Sequence, residues 1–430
     1  MSAPAVTGSP LRQLAHLSRG VWFRRLFSVR LSSQLGDGVF QVALASYALF
    51  SDDQPSPAAI ATALAVVLLP FSLLGPFAGV LLDRWSRRQV LARANFVRVG
   101  LVAVVAAVVA ADLPDPVFYA VVLLALSVNR FLLAALSAAL PHTVLPEELV
   151  TANALTPTAG TMAFVVGLAV GGVVRGVGPG SWDADVTVLL TSAVLYAGAG
   201  ALALRIPRDL LGPDFDPARP AVRAAVGHVL RGLLDGLRHL RERRSAAAAL
   251  AVIGSQRYWF GIMSVSLVLL HRNHFNAPSD TDAAFAGLAT ATLVGGAGFL
   301  TAALVTPKAT QRVGPRRWVL LLLGLAAVAQ VFPAALYSEA ALLVSMFFLG
   351  LAAQGTKICV DTLVQLGVDD AYRGRVFSLY DVLFNVAFVA AAASAAVVLP
   401  ADGVSHVVLG VSALGYLATA AAYARLSRER

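Results

Sequence analysis

Gly79-Val80-Leu81-Leu82-Asp83-Arg84-Trp85-Ser86-Arg87-Arg88 closes one apolar run and opens the next. Upstream, residues 58–82 carry no charge; downstream, residues 93–111 hold only Arg93 and Arg98. An acid and three arginines packed between two such runs read as the polar turn between two membrane-spanning helices, each of which needs about 20 mostly apolar residues. The same ruler, moved outward, gives twelve spans: 28–50, 58–82, 93–111, 116–140, 155–175, 185–205, 246–270, 283–306, 317–337, 340–365, 376–399 and 405–425. Composition agrees. Of 430 residues 58% are hydrophobic and 13% charged, where a soluble chain carries about a quarter charged. The expected fold class is all-α and integral to the membrane, with no room for a large soluble domain.

Charge sets the orientation. Twenty-seven of the 33 basic residues fall on one side when the N-terminus is placed inside and the spans alternate; the other side receives Arg175 and Arg272, and Arg98, Arg130, Arg257 and Lys357 lie within spans. Cytoplasmic loops collect Lys and Arg, so both termini are expected in the cytoplasm and no signal peptide is evident before the first span. The formal charge of +9 is therefore a topology signal and not a nucleic-acid footprint. The single cysteine, Cys359, excludes intrachain disulfides and Cys-rich metal sites. The domain order is a tail over 1–27, six spans over 28–205, a central loop over 206–245, six spans over 246–425 and a tail over 426–430. In the central loop Val222, Val226, Val229, Leu230, Leu233, Leu237 and Leu240 recur at helical spacing beside Arg223, Arg231, Arg238 and Arg241. Two readings stand for it: an amphipathic helix on the inner membrane surface, or a solvated linker helix.

The two halves echo each other. Leu145-Pro146-Glu147-Glu148 after span 4 answers Gly367-Val368-Asp369-Asp370 after span 10, and Asp83–Arg88 after span 2 answers Gln311-Arg312-Val313-Gly314-Pro315-Arg316-Arg317 after span 8. Two six-helix halves in parallel repeat describe a transporter architecture with the substrate path between the halves. The stretch from Gly79 to Arg88 also resembles the signature of the major facilitator superfamily between helices 2 and 3, with Ser86 where the family has Gly. Within it the chain is similar to bacterial drug and siderophore exporters, in Arg373-Gly374-Arg375-Val376-Phe377-Ser378 and in Gly36-Asp37-Gly38. The resemblance implies a cytoplasmic latch: Gly79 for close helix approach, Asp83 facing the start of helix 11, and Arg84, Arg87 and Arg88 making ionic contacts there and with lipid headgroups. Arg373, Arg375 and Asp381 are further gating candidates. Gly167-Leu168-Ala169-Val170-Gly171-Gly172 is similar to an antiporter element with Leu168 in place of Pro; Gly167, Gly171 and Gly172 would pack helices closely.

Polar groups inside spans normally face the bundle interior or a wet cavity. In span 1 Gln34, Asp37 and Gln41 share a face. Asp37, a carboxyl in low dielectric, is the expected proton carrier of a coupled exporter. Arg130, on the span 4 face of Ser137, either pairs with Asp37 or holds an anionic substrate group, unless it is a structural pair. Span 7 contributes Gln256, Arg257, Tyr258 and Trp259 to the expected substrate cavity, joined by Gln34, Gln41, Ser137, Gln354 and Asn385. Lys357 and Asp361, four residues apart, form an expected structural ion pair. No phosphate-binding loop or metal cluster is present in the pattern, so neither an enzyme nor a cofactor is expected. The function expected is proton-coupled efflux of a small hydrophobic or amphiphilic compound by a monomer in the bacterial inner membrane, contacting protons, substrate and lipid but no nucleic acid. A nutrient-uptake symporter and a non-transporting receptor or lipid-handling scaffold are the alternatives.

Overall fold

The structure, a computed structural model, describes residues 17–50, 56–74, 85–111, 113, 115–145, 148–177, 182–212, 222–277 and 280–427. Among these it contains thirteen α-helices and no strand. They are α1 (Val21–Phe50), α2 (Pro57–Leu74), α3 (Arg87–Ala110), α4 (Asp115–Ala139), α5 (Leu149–Val177), α6 (Trp182–Leu204), α7 (Val222–Glu242), α8 (Arg244–Asn273), α9 (Thr281–Val313), α10 (Pro315–Leu336), α11 (Glu339–Gly367), α12 (Asp370–Val398) and α13 (His406–Leu426). Each expected span overlaps one described helix, the second only as far as Leu74, and the thirteenth, α7, lies in the central loop. Nine of the described helices are long and apolar enough to cross a membrane by length and composition. The others include α1 and α8, which carry the polar runs Arg30-Leu31-Ser32-Ser33-Gln34-Leu35-Gly36-Asp37 and Ser255-Gln256-Arg257.

The chain divides into two compact units, residues 1–47 with 73–227 and residues 48–72 with 228–430. In the first, α3 packs on α4 and α6, and α5 on α6. Phe23, Leu26, Leu91, Leu132, Leu136 and Ala203 form its apolar core at one end. In the second, α8 packs on α11, α12 and α13, α9 on α11, and α10 on α11 and α13. Its core runs through Ile253, Leu267, Leu322, Leu349 and Val360. The pairing of third with sixth span recurs, as α3 with α6 and as α10 with α13.

The expected repeat of the loops has a structural counterpart in that pairing. Arg88 and Arg316 each occupy the second position of the helix that follows the turn. Arg88 donates from Nε to the carbonyl of Ile206 (3.1 Å) and from Nη2 to that of Leu204 (3.0 Å), at the end of α6. Arg316 donates to the carbonyl of Ala424 (2.8 Å), near the end of α13. The last carbonyls of a helix have no partner in the helix and carry its negative dipole end; a guanidinium satisfies both. Arg87 does the same for the end of α4, donating to Ala138 (2.9 Å), and also bonds Leu211 (3.2 Å) and His142 (2.8 Å). The described bonds of Arg87 and Arg88 thus lie within the first unit, where the latch reading expected contacts across the signature. Gly79, Asp83 and Arg84, the rest of that expected latch, lie outside the described residues.

The opposite ends of these helices are tied differently. Arg175 Nε, at the end of α5, donates to Ser46 Oγ (2.8 Å) and Asp185 Oδ1 (3.2 Å), and Ser46 donates to Asp185 Oδ2 (3.0 Å). The one basic residue expected outside this half joins α1, α5 and α6. Between α9 and α10 the chain turns at Gly314, whose φ of 81° favours glycine, and Pro315 then starts α10 where its missing N–H is not needed.

Candidate functional site

Gly36-Asp37-Gly38 is the point around which the first unit's polar residues converge. A Cβ on Gly36 would lie 2.7 Å from Cε1 of Tyr196 on α6. One on Gly38 would lie 2.7 Å from the backbone nitrogen of Leu168 and 2.8 Å from Cα of Gly167 on α5. The two glycines let α6 and α5 approach α1 closely, which is how transmembrane helices associate without a hydrophobic driving force. Asp37, between them, is carried into the interior with them.

There Asp37 Oδ1 is bonded by Arg98 Nη2 of α3 and accepts from the hydroxyl of Tyr196 at 3.0 Å. Arg98 Nη1 donates to Ser33 Oγ at 3.0 Å, and its guanidinium carbon stands 3.7 Å over the Tyr196 ring. Ser33 Oγ donates to Asn95 Oδ1 (3.2 Å), and Asn95 donates to the carbonyl of Leu91 (2.8 Å). Every member is buried: Arg98 is 2% exposed and Asp37 8%. A buried charge pair is stable when its remaining hydrogen bonds are also made, and the neighbours make them here.

This corrects the expected pairing of Asp37 with Arg130. Asp37 takes Arg98 and Tyr196 as partners; Arg130 sits half-buried on α4. The signal for Arg98 was present as a cation within span 3 with Asn95 three residues before it. Helical spacing orders residues on one helix, however, and does not choose between arginines on two others.

The remaining sequence-predicted residues separate by contact. Gln34 accepts from Arg30 Nε (3.1 Å) and lies against Gly160 of α5. Gln41 and Gln354 are half-buried. Ser137 is exposed and returns its hydroxyl to Leu133 of its own helix (3.1 Å), as Asn385 returns its amide to Asp381 (2.8 Å). Gly167 and Gly171 face α1, whereas Gly172 has no described neighbour within 4 Å; of the three expected packing glycines, two have a described neighbour to admit. Lys357 Nζ lies 2.7 Å from Asp361.

In the second unit the span 7 run divides its labour. Ser255 bonds Thr419 of α13 (2.6 Å), Tyr258 donates to Ser394 of α12 (2.9 Å), and Trp259 lies against Gly415 of α13, whose Cβ would be 2.7 Å from Cδ2 of its ring. Gln256 is buried. Tyr258 and Trp259 thus hold α8 to its neighbours. Arg257 instead stands over Phe384 at 4.3 Å and Phe388 at 4.4 Å, both on α12.

The central helix α7 docks on the start of α12, which neither reading of it anticipated. Arg243, just past α7, donates from Nη2 to both carboxylate oxygens of Asp369 (2.8 and 2.9 Å). His239 stacks on Tyr372 (centroids 4.3 Å apart, planes at 4°) with Nε2 3.7 Å from Asp369. Arg375 lies 4.0 Å from Asp235, and Gly232 and Gly236 leave room for its side chain. Arg375, a gating candidate, has its described ionic contact with the central helix. Asp381 is exposed on α12, and the side chain of Arg373 lies outside the described residues.

Long apolar helices that bury a charged cluster define a multi-pass membrane protein. The family model of the Major Facilitator Superfamily matches residues 26–427. The chain is 38% identical over 401 residues to an Uncharacterized MFS-type transporter of Mycobacterium bovis, covering 92% of this chain and 89% of that one. Its fold is similar to that of the nucleoside transporter NupG, with a TM-score of 0.70, 16% identity, and 94% and 99% of the two chains covered. It is also similar to a bacterial homologue of the iron transporter ferroportin in the inward-facing state, with a TM-score of 0.67, 15% identity, and 98% and 100% covered. The chain belongs to the Major Facilitator Superfamily, as one of its multi-pass membrane transporters.

Proposed function

We propose that the chain exports a small hydrophobic or amphiphilic compound in exchange for protons, by alternating access, as a monomer in the bacterial cytoplasmic membrane with both termini inside. Asp37 carries the proton. Arg98, in place of Arg130, is its counter-charge, with Tyr196 and Ser33 as alternative partners for whichever charge is left. The observation that supports this most is the buried cluster of Asp37, Arg98 and Tyr196. A proton on Asp37 removes the charge that Arg98 faces. The guanidinium keeps Ser33 and the Tyr196 ring, and the ties between α1, α3 and α6 change without leaving an arginine bare. That is a two-state element which a proton biases directly.

The inward bias of the basic residues supports the orientation, and the scarcity of charged residues within the spans supports an apolar substrate. The test is flux in proteoliposomes under an imposed pH gradient, with a panel of lipophilic fluorescent compounds. Asp37→Asn is expected to abolish proton-driven flux while leaving equilibrium binding of the same compounds within about threefold. Proton-driven flux of Asp37→Asn at the wild-type rate would overturn the assignment. Accumulation driven inward would turn the reading to uptake, and binding with no flux of any compound would turn it to a receptor or scaffold.

A further inference from the structure

We propose that Arg257 binds the carboxylate of an amphiphilic organic acid, with the aromatic side chains around it holding the apolar part of the same molecule. This rests on the reading of Arg257 as a residue of the substrate path and names the class of substrate it takes.

Three observations carry it, all within the second unit. Arg257 makes no ion pair and no hydrogen bond with any described residue; its contacts are the rings of Phe384 (4.3 Å), Phe388 (4.4 Å) and Phe260 (5.7 Å). Its Nε is buried without a partner. The hydroxyl of Tyr416, on α13 and 0% exposed, is likewise without a partner among the described residues.

A cation inside a span is costly and is normally paired. Ring faces return only a small part of that cost. Buried donors are almost always satisfied, and here a guanidinium on α8 and a phenol on α13, two helices that pack on each other, lack an acceptor among the described residues. Two other basic residues within spans contrast with it: Arg98 is paired with Asp37, and Lys357 with Asp361. Of the carboxylates on the neighbouring helices, Asp361 is held by Lys357 and Asp381 is exposed. Arg257 is half-buried, so an incoming group can reach it. A guanidinium matches a carboxylate with two parallel bonds, and Phe260, Phe384 and Phe388 suit an apolar, ring-bearing body rather than a hydrated ion.

The test is equilibrium binding to the purified full-length protein, without any gradient, in detergent free of anionic lipid. The probes are 2-naphthoate, the neutral isostere 2-naphthalenemethanol and acetate. Wild type is expected to bind 2-naphthoate at least tenfold more tightly than the alcohol, and acetate hardly at all. Arg257→Gln is expected to bring the two aromatic probes to equal affinity, Arg257→Lys to restore part of the preference, and Tyr416→Phe to reduce it severalfold. Retention of the full preference by a folded Arg257→Gln, or no preference in wild type, would overturn the proposal. Displacement of 2-naphthoate by acetate at equal concentration would also overturn it, as would occupation of Arg257 by added phosphatidylglycerol in place of the acid. Proton-driven flux of an uncharged compound, measured separately, leaves the exporter reading standing if this proposal fails.

Discussion

Asp37 and Arg98 stand 61 positions apart in sequence and meet in the interior of the first unit. Their pairing is worth most through what its loss would expose. Removing one partner of a buried ion pair costs about 3–5 kcal/mol, because the other charge is left uncompensated. Arg98→Gln is therefore expected to lower the melting temperature of the purified protein more than Asp37→Asn, which leaves the guanidinium with Ser33 and Tyr196. The double variant is expected to melt well above the sum of the two losses, and additive losses would show that the two residues do not act as a pair. Tyr196→Phe removes one hydrogen bond to a carboxylate, an effect of about 1 kcal/mol in a membrane interior, and should lie between wild type and Asp37→Asn.

At the scale of the helix, small residues decide what can be neighbours. Gly38 and Gly167 meet across α1 and α5 with a separation that leaves no place for a methyl group at either, whereas Gly172 on the same helix has no described neighbour within 4 Å. Gly38→Ala is expected to cost several kcal/mol, or to block folding, while Gly172→Ala stays within about 0.5 kcal/mol, as substitutions away from contacts do. Thermal unfolding of the two variants side by side checks this, and equal losses would contradict the packing described. The glycine run from Gly167 to Gly172 was legible in sequence as a packing element. Which of its members faces a partner was not, because that depends on the rotation of α5 about its own axis, and its neighbours set that rotation. The helices themselves were legible, since apolar length is a property of each segment alone. So was α7, from its helical spacing. Its seat on α12 was not: Asp369, Tyr372 and Arg375 come to His239, Arg243 and Asp235 only through the fold.

For the whole molecule, the distribution of arginine carries a prediction about orientation. With Cys359, which is buried, replaced by Ser, a cysteine placed at the exposed Arg241 should react with a membrane-impermeant maleimide only in inside-out vesicles. One at the exposed Asp402 should react only in right-side-out vesicles. Labelling of both from the same side would reject the positive-inside assignment. The two units also show what a repeat in sequence means in space. Arg88 and Arg316, at matching positions after matching turns, reach the end of the sixth span of their own half.

What the sequence by itself determined is everything that is written along a segment: the apolar helices, the polar turns between them, and the few charges that stand within spans. Helix formation and burial in a membrane are paid for locally, by backbone hydrogen bonding and side-chain hydropathy, so local pattern is enough. Only the tertiary structure decided which of those charges meet. It joined Asp37 to Arg98 instead of Arg130, turned Arg87 and Arg88 to helix ends within their own unit, and left Arg257 among phenyl rings. Those choices follow from which helices lie side by side and how each is rotated, which spacing along one helix does not contain.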